Sequence, residues 1–214
     1  MAYASRTGTR RNLAVMRECG WRILVTPAEQ RTEGFPYALD NGAWTSRPGQ
    51  GKEWDEAAFV RLTERLGTCA DFVVAPDVVA SGLASLRLTE AWLPRRVGVA
   101  RRRLVAVQDG MTTADVRPML GPSVGIFVGG STAWKLSTMR AWGELARERG
   151  AYLHVGRVNT IRRIRLCQDA GADSFDGTSV SRYAVTITKL DNARRQATLF
   201  GGLHSNPGDQ PCPA

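Results

Sequence analysis

Histidine is almost missing from this chain, with His154 and His204 the only two. Its four cysteines, Cys19, Cys69, Cys167 and Cys212, lie far apart and form no Cys-x-x-Cys pair. Structural zinc needs thiolate and imidazole ligands at close spacing, and a disulfide framework needs a denser set, so idle or buried thiols are expected instead. The same scarcity argues against metal-dependent hydrolysis and against radical chemistry on an iron–sulfur cluster. No apolar run approaches the roughly 18 residues of a membrane span. The N-terminus shows no apolar signal stretch, so a cytosolic protein is expected. Internal repeats and extended low-complexity segments are also lacking.

What the chain has in excess is positive charge. Lys and Arg total 29 against 20 Asp and Glu, a formal net charge of +9, and most of the cations are arginine. Such a surface favours a polyanion through phosphate neutralisation and counterion release. The arginines cluster at Arg10-Arg11, Arg95-Arg96, Arg101-Arg102-Arg103, Arg162-Arg163 with Arg165, and Arg194-Arg195. With 214 residues and 43% apolar content the chain can bury one core and is short for two. We read a single domain over residues 1–200 and a disordered tail over 201–214, where prolines and glycines replace apolar periodicity.

Eight short apolar runs read as strands: Ala2–Ser5, Ile23–Thr26, Tyr37–Leu39, Phe72–Ala75, Leu104–Val107, Val124–Val128, Tyr152–Val155 and Ser174–Phe175. Helical patterns lie between most of them, over Thr9–Cys19, Trp54–Leu66, Leu83–Leu93, Thr113–Leu120, Ala133–Arg149 and Thr160–Ala170, with a last candidate near Val185–Leu199. Alternation of this kind calls for parallel strands joined by βαβ units, and eight strands predict a compact (β/α)8 barrel. No helix fits between the second and third strands. An open doubly wound sheet is the alternative.

Five motifs follow directly on these strands: Ala38-Leu39-Asp40-Asn41-Gly42, Ala75-Pro76-Asp77, Val107-Gln108-Asp109-Gly110, Phe127-Val128-Gly129-Gly130 and Ser174-Phe175-Asp176-Gly177. Residues just past the strand ends of a parallel barrel converge on one mouth, so three carboxylates, an amide and a glycine pair are expected to share a pocket. Taken singly, an Asp after a strand is as well explained by an N-cap or an Asx-turn, and Gly-Gly by a tight turn. Their order is more specific. Asp-x-Gly-x-aromatic, Pro-Asp, Val-Gln-x-Gly, Val-Gly-Gly and Phe-Asp together resemble the tRNA-guanine transglycosylase family from Asp40 to Asp176.

That resemblance implies roles. Asp176 would be the nucleophile that holds the sugar at C1′ and Asp40 the proton relay, while Asp77, Gln108, Gly129 and Gly130 would hold the base. Arg182 matches the arginine that follows the nucleophile and would contact a phosphate, with Arg157 a second candidate. The chemistry suits these residue types. A carboxylate stabilises an oxocarbenium-like sugar and forms a covalent ester, as in retaining glycosidases. A second carboxyl moves protons to and from the base. Asp77 can accept from both guanine donors, N1–H and N2–H2. Trp44, Trp134 or His154 would be available to stack on a base.

The chain departs from the tRNA enzymes in lacking their Cys-x-Cys-x-x-Cys…His zinc site, in its shortness, and in Gly-Thr-Ser after Phe-Asp. Leu-Asp-Asn-Gly-Ala-Trp and Val-Ala-Pro-Asp-Val-Val are most similar to the small, zinc-free bacteriophage members that place 7-deazaguanine bases in DNA (DpdA-like). The implied activity is replacement of guanine in DNA by a 7-deazaguanine such as preQ0, with no metal or redox cofactor. A tRNA or other RNA substrate, or a catalytically silent nucleic-acid-binding subunit, are the alternatives.

Overall fold

The computed structural model describes residues 1–4, 8–46, 53–94, 100–182 and 184–196. Its strands are β1 (Ala2–Ala4), β2 (Arg22–Val25), β3 (Tyr37–Leu39), β4 (Val73–Val74), β5 (Arg103–Val107), β6 (Val124–Val128), β7 (Leu153–Val155) and β8 (Ser174–Gly177). They pair in sequence order, all parallel, and β8 returns to β1 through Ala2↔Phe175, Tyr3↔Asp176 and Ala4↔Gly177, closing the barrel. This pairing excludes the open sheet. The helices are α1 (Arg10–Glu18), α2 (Glu56–Leu66), α3 (Leu83–Trp92), α4 (Thr113–Val116), α5 (Thr132–Arg149), α6 (Ile161–Asp169), α7 (Ser179–Arg182) and α8 (Ala184–Arg195). The structure is thus a compact (β/α)8 barrel with surrounding helices.

The one irregular step is the one the sequence marks. Between β2 and β3, residues 26–36 hold a Thr26–Glu29 bridge and left-handed turns at Glu33 and Gly34 (φ 51° and 73°) instead of a helix. β3 still lies parallel to β2, in the register Ile23↔Tyr37, Leu24↔Ala38, Val25↔Leu39. The expected 201–214 tail, Leu199 and the Arg95-Arg96 pair lie outside the described residues.

Strand parity splits the apolar residues into two layers, because successive side chains point to opposite faces. Tyr3, Leu24, Ala38, Phe72, Val74, Leu104, Ala106 and Tyr152, with Phe127 packed on them, fill the barrel. Ala2, Ala4, Ile23, Val25, Leu39, Val105, Val107, Ile126 and Val128 face outward onto the helices with Met16, Phe59, Leu62 and Trp142. Large rings inside require small partners. A Cβ on Gly125 would strike the Tyr152 carbonyl and lie 2.7 Å from Leu104 Cδ2.

Local signals set the helix starts. Asp55 accepts from Ala58 N–H at 2.8 Å, Thr112 and Asp115 form a capping box, and Ser131 and Thr160 cap α5 and α6 with their hydroxyls. Gly150, at φ 58°, ends α5 in the left-handed turn that glycine adopts without strain. Helices in this fold run antiparallel to the strands, so their N-termini stand on the mouth side, where the strands end.

Of the cysteines, Cys19 and Cys167 are free as expected, but Cys69, exposed on a turn before β4, is disulfide-bonded. Among the described residues no helix is long and apolar enough to cross a membrane. None of their His, Cys, Asp and Glu side chains group in threes to hold a metal ion.

Candidate active site

The parity that packs the barrel also aims the mouth residues. Two positions beyond Ala38, Ala106 and Ser174 on the inward side come Asp40, Gln108 and Asp176, and two beyond Phe127 and His154 come Gly129 and Gly156. Asp176 is 3% exposed. Its Oδ2 lies 3.1 Å from His154 Nε2 and accepts from the Arg157 backbone N–H at 3.3 Å. Gly156 leaves room for this carboxylate, since a Cβ there would stand 3.3 Å from the same Oδ2 and 2.8 Å from Phe127 Cζ.

His154 is wholly buried, stacked on Phe127 at 5.0 Å and set edgewise to Tyr3. It is therefore no stacking platform for a base, contrary to the expectation from sequence: inward parity puts it one layer below the mouth. Burial depresses its pKa, opposed by Asp176, so the ring is neutral at physiological pH. With the Ser174 hydroxyl 2.7 Å from Nδ1, the consistent arrangement has Ser174 donating to Nδ1 and Nε2–H donating to Asp176. His154 thus orients Asp176 without adding a charge.

Asp40 and Asp77 are held differently. Asp40 Oδ1 accepts from Gly42 N–H at 2.7 Å, so the Asx-turn weighed from sequence is present. The turn does not neutralise the carboxyl. Burial pushes its pKa up to about 7, the Gly42 bond opposing and the charges of Asp176 and Asp77 adding. Burial likewise raises Asp77 to about 6 against the opposing bond from Asn41, whose Nδ2 donates to Asp77 Oδ1 and to the Ala75 carbonyl, both at 2.7 Å. Asn41 is 3% exposed and also accepts from Ala43 N–H at 2.8 Å, so one side chain ties β3 to the end of β4 and aims Asp77. Asp40 and Asp77 follow β3 and β4 and Asp176 lies near the end of β8, so all three stand at the strand-end side of one barrel, and the charges of Asp77 and Asp176 act on Asp40.

Both ends of the Gln108 amide hold the loop after β4. Its Nε2 donates to the Val78 carbonyl at 2.9 Å, and its Oε1 accepts from Ala80 N–H at 2.6 Å. Ala80 is left-handed (φ 62°), and Gln108 holds that strained turn. Gly129 gives its N–H to the Val107 carbonyl at 2.9 Å, as barrel pairing demands. The Gly130 N–H has no partner among the described residues, and Gly130 (φ 67°) tolerates no Cβ, which would lie 2.6 Å from Asp109 Oδ2. Asp109 holds this corner through Ser131 N–H at 2.6 Å and Ser131 Oγ at 2.5 Å; burial raises its carboxyl, and these bonds outweigh it and bring it below the usual range.

Arg157 spans the opening. It is left-handed (φ 59°), its guanidinium donates to the Gly130 carbonyl, and it stacks 4.4 Å from the ring centre of Trp44, which is 46% exposed. Trp134, expected from sequence to be available to a base, is partly buried against Trp142, 5.9 Å between ring centres. Arg182 ends α7, after β8 on the mouth side.

The arginine clusters divide between the two faces. Arg10, Arg11, Arg162 and Arg163 open α1 and α6 at the mouth. Arg194 and Arg195 end α8 at the far end and bond Asp191 at 2.5 and 2.6 Å, so they are structural ion pairs. Arg102 stacks on Tyr152 beneath the barrel, and Arg103 donates to the Leu93 carbonyl.

No protein-family model matches the chain, and no curated protein is significantly similar to it. The fold is a closed (β/α)8 barrel with Asp40, Asp77, Asp109 and Asp176 at its strand-end side.

Proposed function

We propose that this chain exchanges guanine in DNA for a 7-deazaguanine base such as preQ0. The observation that carries the reading is the convergence of Asp40, Asp77 and Asp176 on one mouth, with Asp40 raised to about 7 and Asp77 to about 6. Carboxyls raised by burial beside a third carboxylate suit acid–base work next to a nucleophile. Asp176, fixed by His154 and the Arg157 N–H, attacks C1′ of the target nucleotide. The C1′–N9 bond breaks, its electrons stay with guanine, and the departing base takes a proton from Asp40. The incoming base returns its N9 proton to Asp40, attacks C1′ through N9, and releases the Asp176 carboxylate. Two displacements leave the backbone uncut.

Asp77, ionised above pH 6 and braced by Asn41, accepts from N1–H and N2–H2 of the base. Gln108 then acts by shaping the β4–α3 loop, and the Gly130 N–H is the donor that addresses O6. Adenine offers no donor at N1 and would leave Asp77 unsatisfied, a mismatch such sites reject strongly. The target guanine reaches the mouth flipped out or in a single strand, with Arg10, Arg11, Arg162 and Arg163 around it for phosphates. The net charge of +9 and the arginines that open α1 and α6 at the mouth suit a polyanion, which we read as DNA.

The test is incubation with labelled preQ0 and DNA or tRNA at matched salt, scoring label in each. Incorporation into DNA is expected. Incorporation into tRNA alone moves the activity to RNA, and label in neither, with binding intact, supports a silent nucleic-acid-binding subunit.

A further inference from the structure

Beside the carboxylate mouth lies a recess between the start of α5 and the β7–α6 loop, bounded by Thr132, Lys135, Arg157 and Arg163 over an apolar floor of Met139 and Val158. Lys135 is 5% exposed. Its ammonium has three donors, and among the described residues its one hydrogen bond goes to the Gly156 carbonyl. It forms no ion pair among them. The Asp176 carboxylate acts on it only from beyond ion-pair distance, while Arg157 repels it; burial and that repulsion bring its pKa down to about 8. Arg163 likewise makes no ion pair among the described residues, its guanidinium reaching only the Arg157 carbonyl at 3.5 Å.

A buried ammonium is costly unless an opposite charge meets it. Here the chain supplies two more cations, Arg157 with the Asp109 carboxylate acting on it and Arg163 with no ion pair among the described residues, and the N-termini of an 18-residue and a 9-residue helix, the first met at Ser131 by Asp109 and both with dipoles that favour an anion. Such surroundings lack one component, a compact anion with several acceptor oxygens. We propose that the Lys135–Arg157–Arg163 recess is a phosphate-binding site. Resting on the base-exchange reading, it seats a phosphodiester next to the flipped nucleotide, so that the sugar C1′ is held against Asp176 from behind Gly156. Lys135 sits on the outer helix, where no strand-end motif points to it.

The probes are inorganic phosphate, followed by 31P NMR and calorimetry, and a short guanine-containing single-stranded DNA. Saturable phosphate binding is expected. Lys135→Met and Arg163→Gln should each weaken it at least about tenfold and lower the salt slope of DNA binding by about one. Lys135→Met removes a buried charge without a counterion and should melt no lower than the parent; Arg163→Gln, at the rim, carries the test if it does melt lower. Phosphate affinity unchanged in Arg163→Gln and in any folded Lys135→Met, or no saturable binding at all, overturns the site. Phosphate that the oligonucleotide fails to displace overturns the phosphodiester role. Base exchange is scored separately: its absence with the binding pattern intact removes the activity and leaves the site.

Discussion

The two ends of the barrel handle charge in opposite ways. At the N-terminal end Asp71 accepts from the Tyr3 hydroxyl at 2.9 Å and pairs with Arg22 at 2.6 Å, and Arg102 covers the Tyr152 ring. Asp71 and Arg102 there meet a partner of opposite sign or a ring face, while Arg103 and Asp173 bond backbone groups. At the C-terminal end Asp40 and Asp77 bond neutral partners, the Gly42 N–H and the Asn41 amide, and the buried Lys135 ammonium bonds the Gly156 carbonyl. The strands thus end one way in the Asp71 and Arg102 contacts, with one carboxyl, Asp173, raised by burial, and the other way in two neighbouring carboxyls raised to about 7 and about 6. Displaced acidity of this kind marks sites of chemistry. Left-handed Ala80 and Arg157 lie on the mouth side, and left-handed Glu33 lies at the other end, its carbonyl bonded by Arg17 in the last turn of α1.

The largest effect that sharpens this contrast is expected from Asp176→Asn. The amide keeps an acceptor for His154 and the fold, yet base exchange should fall by at least about four orders of magnitude, as removal of a nucleophile does. Melting temperature and a turnover assay on the same preparation check both halves.

Asp40→Asn comes next and reads the mouth through stability. The Asp40 carboxyl gains its proton near pH 7 in the fold but near 3.8 in the unfolded chain, so between those values the folded state binds more protons. Stability therefore falls as pH rises from about 4 to about 7. The variant keeps the Gly42 turn and loses that slope. It should be roughly 2 to 4 kcal/mol more stable than the parent at pH 8 and little different at pH 4, while losing exchange. Urea melts at the two pH values decide.

At the other end Arg22→Leu should do the reverse. With Arg22 gone, Asp71 keeps only the Tyr3 hydroxyl as a described partner, a loss of about 1 to 3 kcal/mol, discounted because the pair is partly exposed. Turnover per folded molecule should stay within about twofold, read by active-site titration beside a urea melt.

The barrel, its eight strands and the missing β2–β3 helix were legible because period-2 and period-3.6 patterns and strand-end turns are local. The strand-end positions of Asp40 and Asp176 were legible for the same reason, since each closes an apolar run. What escaped depends on contacts across the barrel. His154 reads as an aromatic available to a base until Phe127 and Tyr3 enclose it, Asn41 carries no role in its strand-end motif until it reaches Ala75 and Asp77, and Lys135 lies on a helix with no motif. Gln108 and Gly129 read as base-facing groups, but the polar atoms of both are committed to backbone in the loop and the barrel. Arginine clusters look alike in sequence, and only the fold separates Arg194-Arg195, paired with Asp191, from Arg162-Arg163 at the mouth.

The most direct measurement of the mouth's chemistry is peptide mass mapping after the protein is mixed with guanine-containing DNA and rapidly denatured without an incoming base. A deoxyribose-linked adduct is predicted on the peptide carrying Asp176 and absent from Asp176→Asn. Exchange proceeding with no adduct on any peptide, or an adduct on Asp40 or Asp77 in place of Asp176, would contradict it.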